Sequence, residues 1–328
     1  MIKLVIVGFG NVGQGLVELL LEKKNVIGKI IGPVKVIAIA DSKSSISGNF
    51  SLKEALEIKK RRGRLPENRL AREVVEEEDY DVLVETSITK IDDGGEGLKY
   101  VRTALKRGSH VVTSNKGPLV VAFRELMKLA EKNNVKLMYE ATVGGAMPVI
   151  KLAKKYLAFC DILSIKGILN GTCNYILSRM EEERMPYGQV LKEAQELGIA
   201  EADPSYDVEG IDAAAKLVIL ANTIYNLNAK LSDVERVGIT KVSPEAFDVA
   251  IEKNYTIRLI AEASRETLKV TPRLVPLNHP LAIRGTLNAA MFRTDTAGDI
   301  VVMGRGAGKM ETATAVLSDI LDIYDSSS

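Results

Sequence analysis

The sequence predicts an α/β protein with a doubly wound parallel sheet, followed by a second domain of α+β type. Short β-branched runs alternate with amphipathic helical stretches over the first 140 residues, the order of a parallel sheet with crossover helices. A glycine fingerprint stands between the first run and the first helix. Past residue 265, strand candidates follow one another without intervening helices. A chain of 328 residues suits roughly two domains of ~150 residues each.

In the first domain the strand candidates are Lys3 to Val7, Val34 to Ala40, Val82 to Glu85, His110 to Thr113 and Val135 to Tyr139. Helical patterns occupy Val12 to Leu21, Gly97 to Lys106 and Ala122 to Lys132. From Ser45 to Asp79 the pattern weakens into charge runs, read as a solvated helix and loop. After Glu140 come a glycine-rich turn, ATVGGAMPVI, and helices containing VLKEAQELG and AAAKLVILAN. LKVTPRLVP and AMFRTD are the later strand candidates. The closing stretch DIVVMGRGAGKMETATAVLSDILDIY reads as strand, glycine loop and helix, returning to the first domain, and a short polar tail follows. The expected domains are therefore 1–136 with 301–328, for the dinucleotide, and 137–300, for substrate and dimerisation.

Composition excludes several functions. With 44 Lys+Arg against 43 Asp+Glu, the chain lacks the electrostatic footprint of a nucleic-acid binder. No apolar stretch approaches the ~18 residues that span a bilayer, and glycines interrupt MIKLVIVGFGNVG before a signal-peptide core forms. Cys160 and Cys173 make no disulfide framework and no CxxC pair, which fits a cytoplasmic protein. Only His110 and His279 are present, so a zinc site is not expected. Acid–base chemistry then falls to Lys, Asp, Glu or Tyr.

KLVIV runs into GFGNVG, placing Gly8, Gly10 and Gly13 in a GxGxxG arrangement ahead of a helix, the Rossmann-type fingerprint. The first glycine permits a tight turn, the second lets a pyrophosphate approach the backbone, and the third lets helix and strand pack. Amides of the first helical turn, from Asn11 and Val12 onward, face the phosphates. Asp41 ends the second strand, where an acid accepts hydrogen bonds from an adenosine ribose; the alternative is a simple strand-end cap. Ser42, Lys43 and Ser44 instead suit a 2′-phosphate, so NAD and NADP both remain open.

Ligands of such sheets gather beyond the carboxyl ends of the strands, which singles out Thr86, Ser87, Asn115 and Lys116. Position alone leaves the role of Lys116 open, since loop lysines are common. Further on, Glu201, Asp203, Asp207, Glu209 and Asp212 fall within twelve residues, before a helix carrying Lys216. Asp212 and Lys216 are four apart, on one helix face. One reading is a surface salt bridge. The other is a partly buried lysine whose pKa is tuned for proton transfer, favoured by LVIL immediately after it and three alanines before it.

AQELGIAEADPSYDVEGIDAAAK resembles the signature segment of homoserine dehydrogenase, and GFGNVG, SNKGPL, EATVGGAMPVI, GILNGTCNYIL and the GRGAG helix are similar to the family in the same order. The resemblance covers essentially the whole chain. It implies interconversion of L-aspartate 4-semialdehyde and L-homoserine with NADP or NAD, and a homodimer. By motif position it implies Lys216 as general acid and base with Asp212 as partner, and Lys116 beside substrate and nicotinamide. Glu201 and Asp207 then belong to the substrate site, while Thr86, Ser87 and Gly306 meet the cofactor. EATVGGAM resembles the family's sodium site, built largely from backbone carbonyls, implicating Glu140, Val143, Gly145 and Met147; Gly145 stands where alanine is frequent, a change expected to matter little where the carbonyl is the ligand. No room is expected for the aspartate kinase or ACT domains of longer relatives, and hence little allosteric effect of threonine.

Two other readings compete. Aspartate semialdehyde dehydrogenase needs an activated cysteine, for which Cys173 is the candidate. A redox-sensing dinucleotide module explains the glycine loop and leaves Asp212 and Lys216 unexplained.

Overall fold

A computed structural model describes residues 1–324 and divides the chain into two compact units; the tail beyond lies outside the described residues. The first unit comprises residues 1–145 and the segment from Gly308 onward, the second Ala146–Ala307.

The first unit carries a six-stranded sheet in the order β3-β2-β1-β4-β5-β6. Its strands are β1 (Ile2–Val7), β2 (Val34–Ala40), β3 (Ser45–Ser47), β4 (Val82–Glu85), β5 (His110–Thr113) and β6 (Leu137–Met138). All are parallel except β3, which pairs antiparallel with β2. Leu4, Ile6, Val82, Val84, Val111 and Val112 are wholly buried, as strands covered on both faces require. The helix Asn11–Glu22 packs its Leu16 and Leu20 into one core with Val316 and Ile320 of the terminal helix Lys309–Tyr324. Gly15 permits this: a Cβ there would lie 2.9 Å from the Lys309 carbonyl oxygen.

The expected strands appear, with the last shortened to Leu137–Met138, and the expected helices extend to Gly95–Lys106 and Lys116–Lys132. Residues 45–79 hold more order than a solvated helix and loop. They contribute the edge strand β3 and two helices, Leu52–Arg62 and Ala71–Glu77.

In the second unit the order is β12-β11-β7-β9-β10-β8, from β7 (Ile162–Ile168), β8 (Glu235–Arg236), β9 (Tyr255–Ala263), β10 (Leu268–Pro276), β11 (Leu287–Thr294) and β12 (Asp299–Arg305). The pairing is antiparallel apart from β8 on β10. Register puts Val301, Met291, Lys166 and Glu262 opposite one another along one face, and Met303, Ala289 and Ile168 in the next row. On that face Met303 is 56% exposed, while Glu262 pairs with Lys166 at 3.2 Å and Arg273 at 2.7 Å.

The closing segment divides differently from the boundary expected at residue 301. Its strand β12 pairs with β11 and stays with the second unit, whereas its helix belongs to the first. Residues 137–145, expected in the second domain, likewise cluster with the first, because Glu140 donates its amide to Asp319 of the terminal helix at 2.9 Å. Among the described residues, no helix is long and apolar enough to cross a membrane.

Candidate active site

The glycine turn after β1 is built for close approach. Gly8 has a φ of +95°, and a Cβ on it would lie 2.3 Å from the Thr86 carbonyl atoms. A Cβ on Gly13 would lie 2.2 Å from the Gly8 carbonyl oxygen. Gly10 differs: no atom lies within 4 Å of its Cβ position, and it is the N-cap of Asn11–Glu22 with no side chain capping the helix. Open space at the middle glycine together with an uncapped helix start fits a pyrophosphate held by the first-turn amides, including those of Asn11 and Val12.

Thr86 and Ser87 follow β4, but their hydroxyl protons have protein acceptors. Thr86 donates to the Gly8 carbonyl at 2.6 Å, clamping the glycine turn, and Ser87 donates to the Glu85 carboxylate. A cofactor at these positions meets lone pairs or backbone instead of a free hydroxyl donor. Asp41 is also engaged. It accepts from the Ser44 amide and hydroxyl, both at 2.8 Å, from the Lys43 amide at 3.0 Å and from Lys59 at 2.7 Å. Burial pushes its carboxyl up, but the bonds from Lys59, Lys43 and Ser44 outweigh burial and hold it below the usual range. Lys59 was not among the residues singled out by sequence, because it meets Asp41 only through the helix Leu52–Arg62.

Beyond β5, Asn115 caps the helix Lys116–Lys132 by accepting from the Gly117 amide at 3.0 Å, which fixes Lys116 as the first helical residue. Lys116 itself is half-buried.

In the second unit, the helix Ile211–Tyr225 carries both Asp212 and Lys216. The pair is not a surface salt bridge. Each side chain is 9% exposed, and Lys216 Nζ donates to Asp212 Oδ2 at 2.7 Å and to the Leu169 carbonyl at 2.6 Å. Ala213, Ala214, Ala215 and Leu217 around it are buried, so the small residues do bring the lysine stem against the core. A residue not singled out by sequence completes the cluster: Asn170 donates through Nδ2 to Asp207 at 2.6 Å and Asp212 at 3.0 Å. Its Oδ1 accepts from the Cys173 amide at 2.8 Å, capping the helix Gly171–Glu183. The only local signal was an Asn before a helix start, which reads as a cap and nothing more.

Burial, then the neighbouring charge of Asp212, raises the Asp207 carboxyl above its ordinary value. The folded chain therefore binds this proton more tightly than the unfolded chain does. Stability falls as pH climbs from the unfolded carboxyl's ~3.9 through the raised folded value, and the penalty is complete above it. Asp207→Asn should accordingly raise Tm at pH 8, with the gain shrinking toward pH 4. Calorimetry showing a loss of Tm at pH 8, or the same gain at both ends, would contradict this account.

The other expected residues each have their own setting. Glu201 lies exposed in the loop before the helix Ser205–Val208, its carbonyl accepting from Gln195 at 3.1 Å. Gly306 lies against Asn288, whose Nδ2 would stand 1.9 Å from a Cβ, so packing at that position requires glycine. In the EATVGGAM turn, Glu140, Val143 and Met147 are buried, and Gly145 has a φ of +56°. That φ lies in the left-handed region, which costs an L-residue roughly 1–2 kcal/mol.

Cys173 cannot serve as a thioester nucleophile. It is fully buried, its Sγ donates to the Asp207 carbonyl at 3.1 Å, and burial with the charges of Asp207 and Asp212 pushes the thiol well above its ordinary range.

Comparison with known proteins shows the family. The family model for homoserine dehydrogenase matches residues 148–321, and that for the homoserine dehydrogenase NAD-binding domain matches residues 8–140. A homoserine dehydrogenase of Methanocaldococcus jannaschii is 46% identical over 98% of both chains. A solved structure from Archaeoglobus fulgidus, assigned to the same family, is 69% identical with a TM-score of 0.96, covering 99% of this chain and all of that one. A hyperthermophilic archaeal homoserine dehydrogenase in complex with NADPH is 34% identical with a TM-score of 0.85, over 98% and 97% of the two chains. Family models over both units and relatives matched end to end place the chain in the homoserine dehydrogenase family, as an oxidoreductase with an NAD(P)-binding Rossmann domain.

Proposed function

We propose that this chain interconverts L-aspartate 4-semialdehyde and L-homoserine with Lys216 as the proton donor and acceptor. The observation that carries the assignment is the buried Asp212–Lys216 pair. Hydride addition to the aldehyde carbon builds negative charge on its oxygen, which a proton on Lys216 Nζ neutralises. In the reverse direction the hydroxyl proton of homoserine passes to the neutral amine. The nicotinamide, when bound, supplies or takes up the hydride. Asp212 and the Leu169 carbonyl orient Nζ, and Asn170 holds Asp207 and Asp212 side by side. Asp207 and Glu201 are read as partners of the substrate ammonium, and Lys116 as a contact of substrate and nicotinamide.

Gly8, Gly10, Gly13, Asn11 and Val12 hold the pyrophosphate in this reading, Asp41 stands at the adenosine ribose, and Thr86, Ser87 and Gly306 border the cofactor. A sodium ion on Glu140, Val143, Gly145 and Met147 rests on the resemblance, and no step runs through it. A homodimer is supported by the sheet face bearing Val301, Met303 and the Glu262 ion pairs, apolar and charged groups that a second copy would cover. Free Cys160 and Cys173 suit the cytoplasm.

The test is homoserine-dependent reduction of NAD+ and NADP+ by purified protein, run in sodium and in potassium buffer, with light scattering of the same preparation. Absent turnover on homoserine with both cofactors rejects the reaction, and a monomer mass at micromolar concentration rejects the dimer.

A further inference from the structure

We propose that Glu85 is a positioning residue for this reaction, fixing Lys116 by tying together the two strand-end loops of the nucleotide-binding unit; the inference rests on the reading of Lys116 given above. Glu85 closes β4 and is wholly buried. Four donors reach its carboxylate. The Ser87 amide lies at 2.9 Å, with the Ser87 hydroxyl also bound, and both belong to the loop after β4. Thr113 Oγ1 at 2.8 Å and Asn115 Nδ2 at 3.4 Å come from the end of β5 and the turn after it.

All four are neutral donors, and a carboxylate offers two acceptor oxygens and no donor of its own, so the match is complete in kind. The ties continue to Lys116. Thr113 Oγ1 accepts from the Asn115 amide at 3.0 Å, and Asn115 Oδ1 accepts from the Gly117 amide at 3.0 Å. Lys116 sits between those two anchored residues. Gly117 packs on the Lys90 carbonyl, 2.3 Å from where a Cβ would be, which joins the turn to the far end of the loop after β4. Space for the cluster is kept by Gly97, whose Cβ would lie 2.5 Å from Asn115 Nδ2 and 3.2 Å from Glu85 Oε1.

A burial this complete, without a cation among the donors, is costly, and the four hydrogen bonds offset that cost. Replacing Glu85 by Gln keeps the volume but turns an NH2 toward one of the donors, which shifts the two loops apart and with them the base of Lys116. A misplacement of that kind costs ~10-fold or more in turnover.

The experiment is a double-mutant cycle on homoserine oxidation with Glu85→Gln and Lys116→Ala. Glu85→Gln should lower kcat ~10-fold. In the Lys116→Ala background Glu85→Gln should cost little further, because the group it positions is gone. Effects that multiply in the double variant assign Glu85 to structure only and overturn the proposal, leaving the Lys116 reading intact. Full turnover by Lys116→Ala alone overturns that reading and this one with it. If Glu85→Gln does not fold, Thr113→Val removes one donor in nearly the same volume and carries the same cycle, with the same outcomes deciding.

Discussion

Lys216→Ala is expected to lower kcat by ~100-fold or more, with cofactor binding nearly unchanged, because the lysine belongs to the helix Ile211–Tyr225 and not to the glycine turn. The substitution removes the Lys216 ammonium from the buried Asp212 carboxylate, which keeps its bond from Asn170 at 3.0 Å. Breaking a buried pair is destabilising by ~3–5 kcal/mol, so Tm should fall as well. Lys216→Arg separates the two effects. It restores a cation for Asp212 and should recover stability in part, yet a guanidinium cannot release a proton near neutral pH, so turnover should stay lost. Retention of more than about a tenth of wild-type kcat by either variant contradicts the assigned role.

The second large effect is expected in the glycine turn, where two alanine substitutions should fail for different reasons. Gly13→Ala puts a methyl 2.2 Å from the Gly8 carbonyl oxygen, backbone that cannot swing aside. Overpacking of this kind costs ~1–3 kcal/mol or more, so the variant should lose folding before it loses anything else. Gly10→Ala meets no protein atom within 4 Å and has a φ of −86° that any residue adopts. Its Tm should match wild type, while the cofactor Kd rises ~10-fold or more because the methyl occupies the space a pyrophosphate needs. Equal loss of Tm in both variants, or a Gly10→Ala protein with wild-type cofactor affinity, would show that the middle glycine does not border the phosphates.

Which parts of this molecule could be read from its residues follows from how local each interaction is. β1, β2, β4 and β5 are uninterrupted or nearly uninterrupted β-branched runs between turn signals, and they appear where expected. β7 and β9 did not announce themselves, because charged residues break their apolar runs. In β9 the interruption is Arg258, wholly buried and bonded to Glu181 at 2.8 Å. A strand carrying a buried arginine is legible only with its partner, and that partner is 77 residues away in the chain.

The site divides in the same way. Asp212 and Lys216 are one helical turn apart, so their pairing follows from helix geometry alone. Asn170 reaches Asp207 and Asp212 from 37 and 42 residues away. Nothing near Asn170 in the sequence signals that contact. The split of the closing segment was hidden for the related reason that strand and helix each had a good local pattern, and only the pairing of β12 with β11 assigns them to different units.

That split has a bearing on biogenesis. The second unit is one continuous stretch of chain, whereas the first needs both residues 1–145 and the helix Lys309–Tyr324. During vectorial synthesis, Leu16 and Leu20 leave the ribosome some three hundred residues before Val316 and Ile320, the side chains that cover them. At ~5–20 residues per second, that apolar stripe waits roughly fifteen seconds to a minute for its cover, whereas the second unit is made as one uninterrupted stretch. Until the helix Lys309–Tyr324 is made, the nascent nucleotide-binding unit keeps that stripe uncovered.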